Sequence, residues 1–256
     1  MLKPFYENNL VTLYQGDCLE IMPQLDMVFD ACITDPPYGT TSCKWDAVVP
    51  FDKMWEQLNR LVKENGIKAF TASQPFTSMI VSSNYADFKH EWIWVKNRGS
   101  NFANTVREPF KEHEEIVVFC SKGNWTYNKQ MQERAESGKA RVDYKLNFVT
   151  SSENYRKFAD KTGNTMPKLR VPSSVQKFNT EVGMHPTQKP VALIEYLVKT
   201  YTNEGESVLD FTAGSGTTGV ACMNLKRKCV LIEKEEKYCN TIVERLEKAD
   251  SQMTLF

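Results

Sequence analysis

The string Gly214-Ser215-Gly216-Thr217-Thr218-Gly219 follows an apolar run, Ser207 to Phe211, and opens a segment with helical spacing, Thr217 to Leu225. A glycine-rich turn between a strand and a helix points backbone N–H groups at a ligand, usually a nucleotide-type one. The position of this turn constrains the fold more than any other feature, because the chain ends 37 residues after Gly219. Those residues suffice for the rest of one helix, a strand (Cys229 to Ile232) and a last helix (Lys237 to Lys248). A dinucleotide fold needs several more strand–helix units downstream of its glycine turn, so a nicotinamide enzyme is disfavoured. The remaining strands must come from the N-terminal half, which makes the arrangement a permuted one.

That half supplies them. Leu10 to Tyr14 reads as a strand ending at Gly16-Asp17, followed by a short helix at Leu19 to Met22. Phe29 to Thr34 is a second strand. Phe51 to Lys63 has helical spacing, with Asn65-Gly66 as its C-terminal signal. Ile67 to Thr71, Phe88 to Val95 and Glu115 to Cys120 read as strands, Pro75 to Ser83 and Pro190 to Thr202 as helices. Strands alternating with helices predict an α/β fold with a mostly parallel sheet.

The strand at Phe29 runs into Asp35-Pro36-Pro37-Tyr38. Two successive prolines fix φ and lack N–H groups, so the chain leaves the sheet rigidly with carbonyls free to accept hydrogen bonds. Such a turn can hold a planar amino group, with Asp35 and the Pro36 carbonyl accepting its two hydrogens and Tyr38 stacking on the attached ring.

Net charge is zero, so overall basicity indicates no nucleic-acid partner, and the useful signal is local. Between Ser121 and Met184 there are 12 Lys and Arg against 6 Asp and Glu, with aromatics interspersed at Trp125, Tyr127, Tyr144, Phe148, Tyr155, Phe158 and Phe178. Periodicity is lost there, and the reading is a small inserted subdomain, residues 121–184, between a catalytic half (1–120) and a cofactor-binding half (185–256). Seven cysteines without a Cys-x-x-Cys pair indicate reduced thiols in a cytoplasm and no metal site. No stretch approaches the ~18 apolar residues of a membrane span.

Three blocks together resemble the β-group of S-adenosylmethionine-dependent DNA amino-methyltransferases, in which D-P-P-Y precedes the cofactor turn. They are Asp35-Pro36-Pro37-Tyr38, His185-Pro186-Thr187-Gln188-Lys189-Pro190, and Asp210 to Thr218. The resemblance implies a doubly wound, mostly parallel, seven-stranded-type methyltransferase sheet with permuted motif order and a small inserted recognition region. It also implies S-adenosylmethionine as cofactor, double-stranded DNA as partner, a possible cognate restriction endonuclease, and a monomer or homodimer. One departure is visible: the usual D-P-F is here Asp210-Phe211-Thr212, which should loosen the turn.

By the same resemblance Asp35, Pro36, Pro37 and Tyr38 are catalytic. Asp210, Phe211, Ala213, Gly214, Ser215, Gly216 and Thr217 form the cradle for the cofactor's methionine side, glycine letting the backbone approach it closely. Glu233 is the ribose-binding acid and Asp17 lies beside the adenine amino group. Thr187, Gln188 and Lys189 close over the cofactor, the lysine meeting its carboxylate, while His185 is positional rather than a general base. Phe70 and Phe76 are candidate pocket walls or simple core. No cysteine follows a proline, as the nucleophile of cytosine-carbon methylation usually does. The implied reaction is N6-methylation of an adenine flipped out of the duplex, because Asp at the first motif position accompanies adenine more often than cytosine. N4-cytosine methylation is the nearest alternative. RNA or protein substrates and an inert DNA-binding module are more distant, given the motif order and the intact motifs.

Overall fold

Apolar, β-branched runs form the strands and amphipathic stretches the helices of the computed structural model, which describes residues 2–41, 43, 46–134, 168–181, 183 and 188–253. In chain order the strands are β1 (Tyr6–Glu7), β2 (Val11–Gln15), β3 (Phe29–Thr34), β4 (Val62–Ala72), β5 (Phe88–Ser100), β6 (Lys111–Phe119), β7 (Gln132–Glu133), β8 (Leu169–Arg170), β9 (Val175–Lys177), β10 (Ser207–Asp210) and β11 (Lys228–Glu233). The helices are α1 (Cys18–Ile21), α2 (Phe51–Leu61), α3 (Phe76–Ser83), α4 (Val191–Tyr201), α5 (Thr217–Asn224) and α6 (Glu236–Met253). Among the described residues no helix is long and apolar enough to cross a membrane.

The main sheet has the order β1-β2-β11-β10-β3-β4-β6-β5-β9. Strands β2, β11, β10, β3 and β4 are parallel neighbours, and β6 lies antiparallel between β4 and β5. These seven form the expected doubly wound, permuted sheet, and β1 and β9 extend its two edges. Both faces are covered, as a parallel sheet requires. One apolar layer joins Ala31 and Ile33 to Leu197 of α4, Ala221 of α5 and Ile242 of α6. The other joins Cys32 to Met54 and Leu58 of α2 and Phe76 of α3.

The winding fixes where a ligand fits. From β10 the chain crosses through α5 to β11 on one side, and from β3 it crosses through α2 to β4 on the other. Strands β10 and β3 are therefore the switch point of the sheet, and the crevice outside their carboxyl ends is the natural binding position. Asp35 follows one of these strands and Asp210 ends the other.

Asn65-Gly66 does not end α2. The helix stops at Leu61 and the chain passes directly into β4, with Gly66 inside the strand. A Cβ at Gly66 would lie 2.5 Å from the Asp30 carbonyl oxygen, where the β3–β4 register shifts. The glycine serves close approach of two strands at a bulge rather than helix capping. Strands β5 and β6 are also longer than their apolar runs, pairing as far as Ser100 and Lys111 to form a long hairpin.

A separate compact unit spans Lys129–Ser173, narrower than the 121–184 segment of the sequence reading. Its described part contains the antiparallel pair β7–β8, with Gln132 opposite Arg170. Val175–Lys177 instead adds to the main sheet as β9. Tyr144, Phe148, Tyr155 and Phe158 lie outside the described residues, as do His185 and Thr187.

Candidate active site

A cavity of about 620 Å³ opens at the switch point, and Asp17, Asp35, Tyr38, Lys189, Gly214 and Glu233 all line it. Pro36, Pro37, Gln188, Asp210, Phe211, Ala213, Ser215 and Thr217 share the lining, so described residues of all three sequence blocks meet in one place. Gly216 does not reach the wall.

Asp35 is held from three directions. Its Oδ1 accepts from the Tyr38 hydroxyl at 2.9 Å and from the Thr71 hydroxyl at the end of β4. Its Oδ2 accepts from Lys189 Nζ at 2.7 Å. In this structure the Lys189 ammonium faces carboxylates of the chain itself, Asp35 and, at 3.5 Å, Glu114 of β6. Glu114 is paired in turn with Lys96 of β5. Burial opposes the charge on Lys189, but the two carboxylates outweigh it and raise its pKa above the ordinary lysine value. Burial likewise opposes the charge on Glu114, but Lys189 and Lys96 prevail and hold its pKa below the usual carboxylate value.

Tyr38 is braced as well as bonded. Its ring stacks on Phe76 with centroids 5.1 Å apart and planes at 25°, and Lys189 Nζ lies 5.5 Å from its centroid. Burial first, and the Asp35 charge second, raise its hydroxyl pKa well above the usual tyrosine value. Phe70 and Phe76 belong to the core rather than the cavity wall, Phe76 serving as the platform behind Tyr38. The loop after Tyr38 is organised by Asp46, which accepts from the backbone N–H groups of Gly39 (2.9 Å), Thr40 (2.9 Å) and Thr41 (2.6 Å).

The glycine turn shows two different needs for glycine. Gly214 has φ +54° and nothing within 4 Å of a would-be Cβ, so its surroundings leave space for a ligand. Gly216 has φ +75° and caps α5, but there a Cβ would meet Ile242 Cγ1 at 2.8 Å. In this structure α6 behind the turn sets that constraint. The missing proline leaves no loose turn either. Thr212 N–H donates to Asp210 Oδ1 at 3.2 Å and its hydroxyl lies 2.7 Å from that of Thr34, while Phe211 is buried in the core.

Asp210 also accepts from Thr34 (2.7 Å) and Thr218 (2.6 Å), so Thr34 joins the ends of the two switch-point strands. Burial pushes the Asp210 carboxyl up to about 6 against these hydrogen bonds. Glu233 accepts from Gly214 N–H and from Glu235 N–H, each at 2.8 Å, which leaves each carboxylate oxygen one further lone pair. Burial raises its pKa. Asp17 caps α1 through Leu19 N–H (2.9 Å) and pairs with Lys234 (3.0 Å). Burial works against its charge, but these partners lower its pKa overall. Gln188 donates to Glu181 at 3.1 Å, and its buried Oε1 has no hydrogen-bond partner among the described residues.

Thr34, Asp46, Thr71, Glu114 and Arg245 also belong to this site, outside the three sequence blocks. Arg245 of α6 donates to the Ser215 carbonyl (2.6 Å) and to the Ser215 and Thr217 hydroxyls, and Thr217 donates to the Lys189 carbonyl at 3.2 Å. Thr34 and Thr71 carried the available signal, a hydroxyl at the carboxyl end of an apolar strand. Arg245 carried none, being one cation among several on an amphipathic helix.

A permuted α/β sheet with an Asp-Pro-Pro-Tyr turn and a glycine turn on one cavity defines an amino-directed methyltransferase. The sequence pattern of the DNA methylase family, of the N6/N4 type, matches residues 29–244, and the chain belongs to that family of S-adenosylmethionine-dependent DNA methyltransferases. The type II methyltransferase M2.DpnII of Streptococcus pneumoniae is 25% identical over 263 residues, 96% of this chain and 93% of its own. The crystal structure of the M1.HpyAVI-SAM complex superposes with TM-score 0.64 at 27% identity, covering 93% of this chain and 100% of that one. The cytosine-N4-specific PvuII DNA methyltransferase shares the fold, with TM-score 0.67 at 13% identity over 97% of this chain and 93% of its own.

Proposed function

We propose that this enzyme methylates the exocyclic N6 amino group of an adenine extruded from duplex DNA. The observation that carries the reading is the state of Asp35. A carboxylate offers about four acceptor positions, and Tyr38, Thr71 and Lys189 take three of them, leaving one on Oδ2 for a single N–H. With the second hydrogen on the Pro36 carbonyl, the amino nitrogen is drawn toward tetrahedral geometry and its lone pair is released from the ring. The carboxylate also stabilises the positive charge that develops on nitrogen, and its donors hold it in place beforehand.

S-adenosylmethionine, when bound, supplies a sulfonium methyl already activated for transfer. The residues fit that cofactor: an open backbone at Gly214, spare lone pairs on Glu233 for ribose hydroxyls, a Gln188 oxygen with no partner among the described residues, and Asp17 in the cavity wall. The protein's task is then alignment of a poor nucleophile. Tyr38, fixed by Phe76, presents an aromatic surface that offsets part of the cost of unstacking the base. The basic, aromatic segment 121–184 is the natural region for sequence recognition. The type II class of the relative M2.DpnII supports a cognate restriction endonuclease as a second partner.

Since a cytosine-N4 enzyme shares the fold, the choice of adenine rests on Asp35. Incubation with labelled S-adenosylmethionine and mixed-sequence duplex DNA, followed by digestion to nucleosides, tests it. Label in N6-methyladenosine supports the proposal, label in N4-methylcytosine replaces the base assignment, and label only with RNA or protein substrates overturns the DNA reading.

A further inference from the structure

The most exposed large apolar side chains among the described residues are Val106 (89%) and Phe102 (82%), both at the tip of the β5–β6 hairpin. The tip is a built turn. Asn101, in the left-handed region at φ 64°, accepts from Lys111 N–H at 2.9 Å and donates to the Pro109 carbonyl at 3.3 Å. The N–H groups of Asn104 and Arg107 close successive turns at 2.8 and 2.9 Å. A hairpin that orders its backbone this way and leaves Phe102 and Val106 in water is presenting them to something.

Its root identifies the direction. Glu115 pairs with Ala72 at the carboxyl end of β4, Lys111 Nζ bonds Ser73, and Glu114 shares Lys189 with Asp35. The hairpin therefore rises from the wall of the active site and carries its tip beyond the carboxyl edge of the parallel strands, where the substrate must arrive. Residues 97–111 bear Arg98, Arg107 and Lys111 against Glu108, a basic segment on a protein of zero net charge.

Resting on the extruded-base reading above, we propose that this tip enters the duplex, with Phe102 filling the space the base vacates, Val106 beside it and Arg98 and Arg107 on flanking phosphates. Extrusion removes stacking from both neighbouring base pairs, and an apolar wedge restores contact there. Basic side chains around the wedge set its register without reading sequence.

Methylated positions in mixed-sequence DNA first identify a target site; if the wild type methylates no DNA, the reading underneath fails, not this inference. Phe102→Ala and the Phe102→Ala/Val106→Ala pair are then assayed on a matched duplex and on one with an abasic position opposite the target. The wedge predicts a loss of kcat/KM of about tenfold or more on the matched duplex, largely restored on the abasic one where the base is already unpaired. Thermal midpoint and S-adenosylmethionine affinity should match wild type, since both side chains are exposed. Equal losses on the two duplexes, no loss on either, or loss of a dimer by sedimentation with unchanged methylation would each overturn the assignment.

Discussion

Replacing Lys189 by methionine keeps most of the side chain's volume and removes the charge that Asp35 and Glu114 share. The ammonium lies 2.7 Å from one carboxylate and 3.5 Å from the other, with side-chain exposures of 7% for Lys189, 28% for Asp35 and 14% for Glu114. Removing one partner of a buried pair costs about 3–5 kcal/mol, because the opposite charges stay buried. Asp35 is exposed enough to regain water, so the low end, about 3 kcal/mol, is expected. For a chain of this size that lowers the thermal midpoint by roughly 6–12 °C.

The pH dependence supplies a second, independent signature. In the wild type the Glu114 pKa is depressed, so its stabilising contribution is present above the unfolded carboxylate value of about 4.3 and is lost as pH falls through the folded one. Without Lys189, burial loses the larger of its two opponents and the same pKa rises, so as pH falls the variant's buried carboxylate is relieved by protonation sooner than in the wild type. The stability gap between variant and wild type should therefore be widest near neutrality and close as pH falls through the carboxylate range. Urea unfolding of both proteins across that range measures it. A gap under about 1 kcal/mol at neutral pH, or one independent of pH, would refute the buried-network reasoning. Unchanged stability with S-adenosylmethionine affinity reduced about tenfold or more would assign Lys189 to the ligand instead.

Asp35→Ala is expected to abolish methyl transfer while leaving S-adenosylmethionine binding by calorimetry largely intact; loss of both would make Asp35 structural. Gly216→Ala should cost about 2 kcal/mol from the left-handed backbone and the contact with Ile242, and adding Ile242→Ala should cost less than the two separate losses combined, read from denaturant midpoints. The Asp210 pKa is raised to about 6, so its protonated form favours folding, a contribution present below about 4 and lost as pH rises through 6. Asp210→Asn should therefore gain about 3 kcal/mol on wild type between pH 4 and 7, and parallel stability curves would refute this.

Local chemistry made the strand–turn–helix at Gly214 and the proline turn at Asp35 readable, because both announce themselves within a few residues. The same local reading failed at Asn65-Gly66, where a good helix stop is used instead to let β4 pass the Asp30 carbonyl. At Gly216 glycine is required by a helix that arrives later in the chain, a neighbour local chemistry does not announce.

Long-range partners show the limit most clearly. Lys189 lies 154 positions from Asp35 in the chain and Thr34 lies 176 from Asp210, yet both pairs are bonded. The sequence alone determined the α/β class, the permuted order and the residue types that hold an amino group and a nucleotide-like ligand, since periodicity and turn chemistry are local properties. Only the tertiary structure decided that β10 lies beside β3 and that β6 brings Glu114 to Lys189, turning that lysine toward Asp35. A buried charge is satisfied by whatever the topology sets next to it, and sequence spacing does not specify that neighbour.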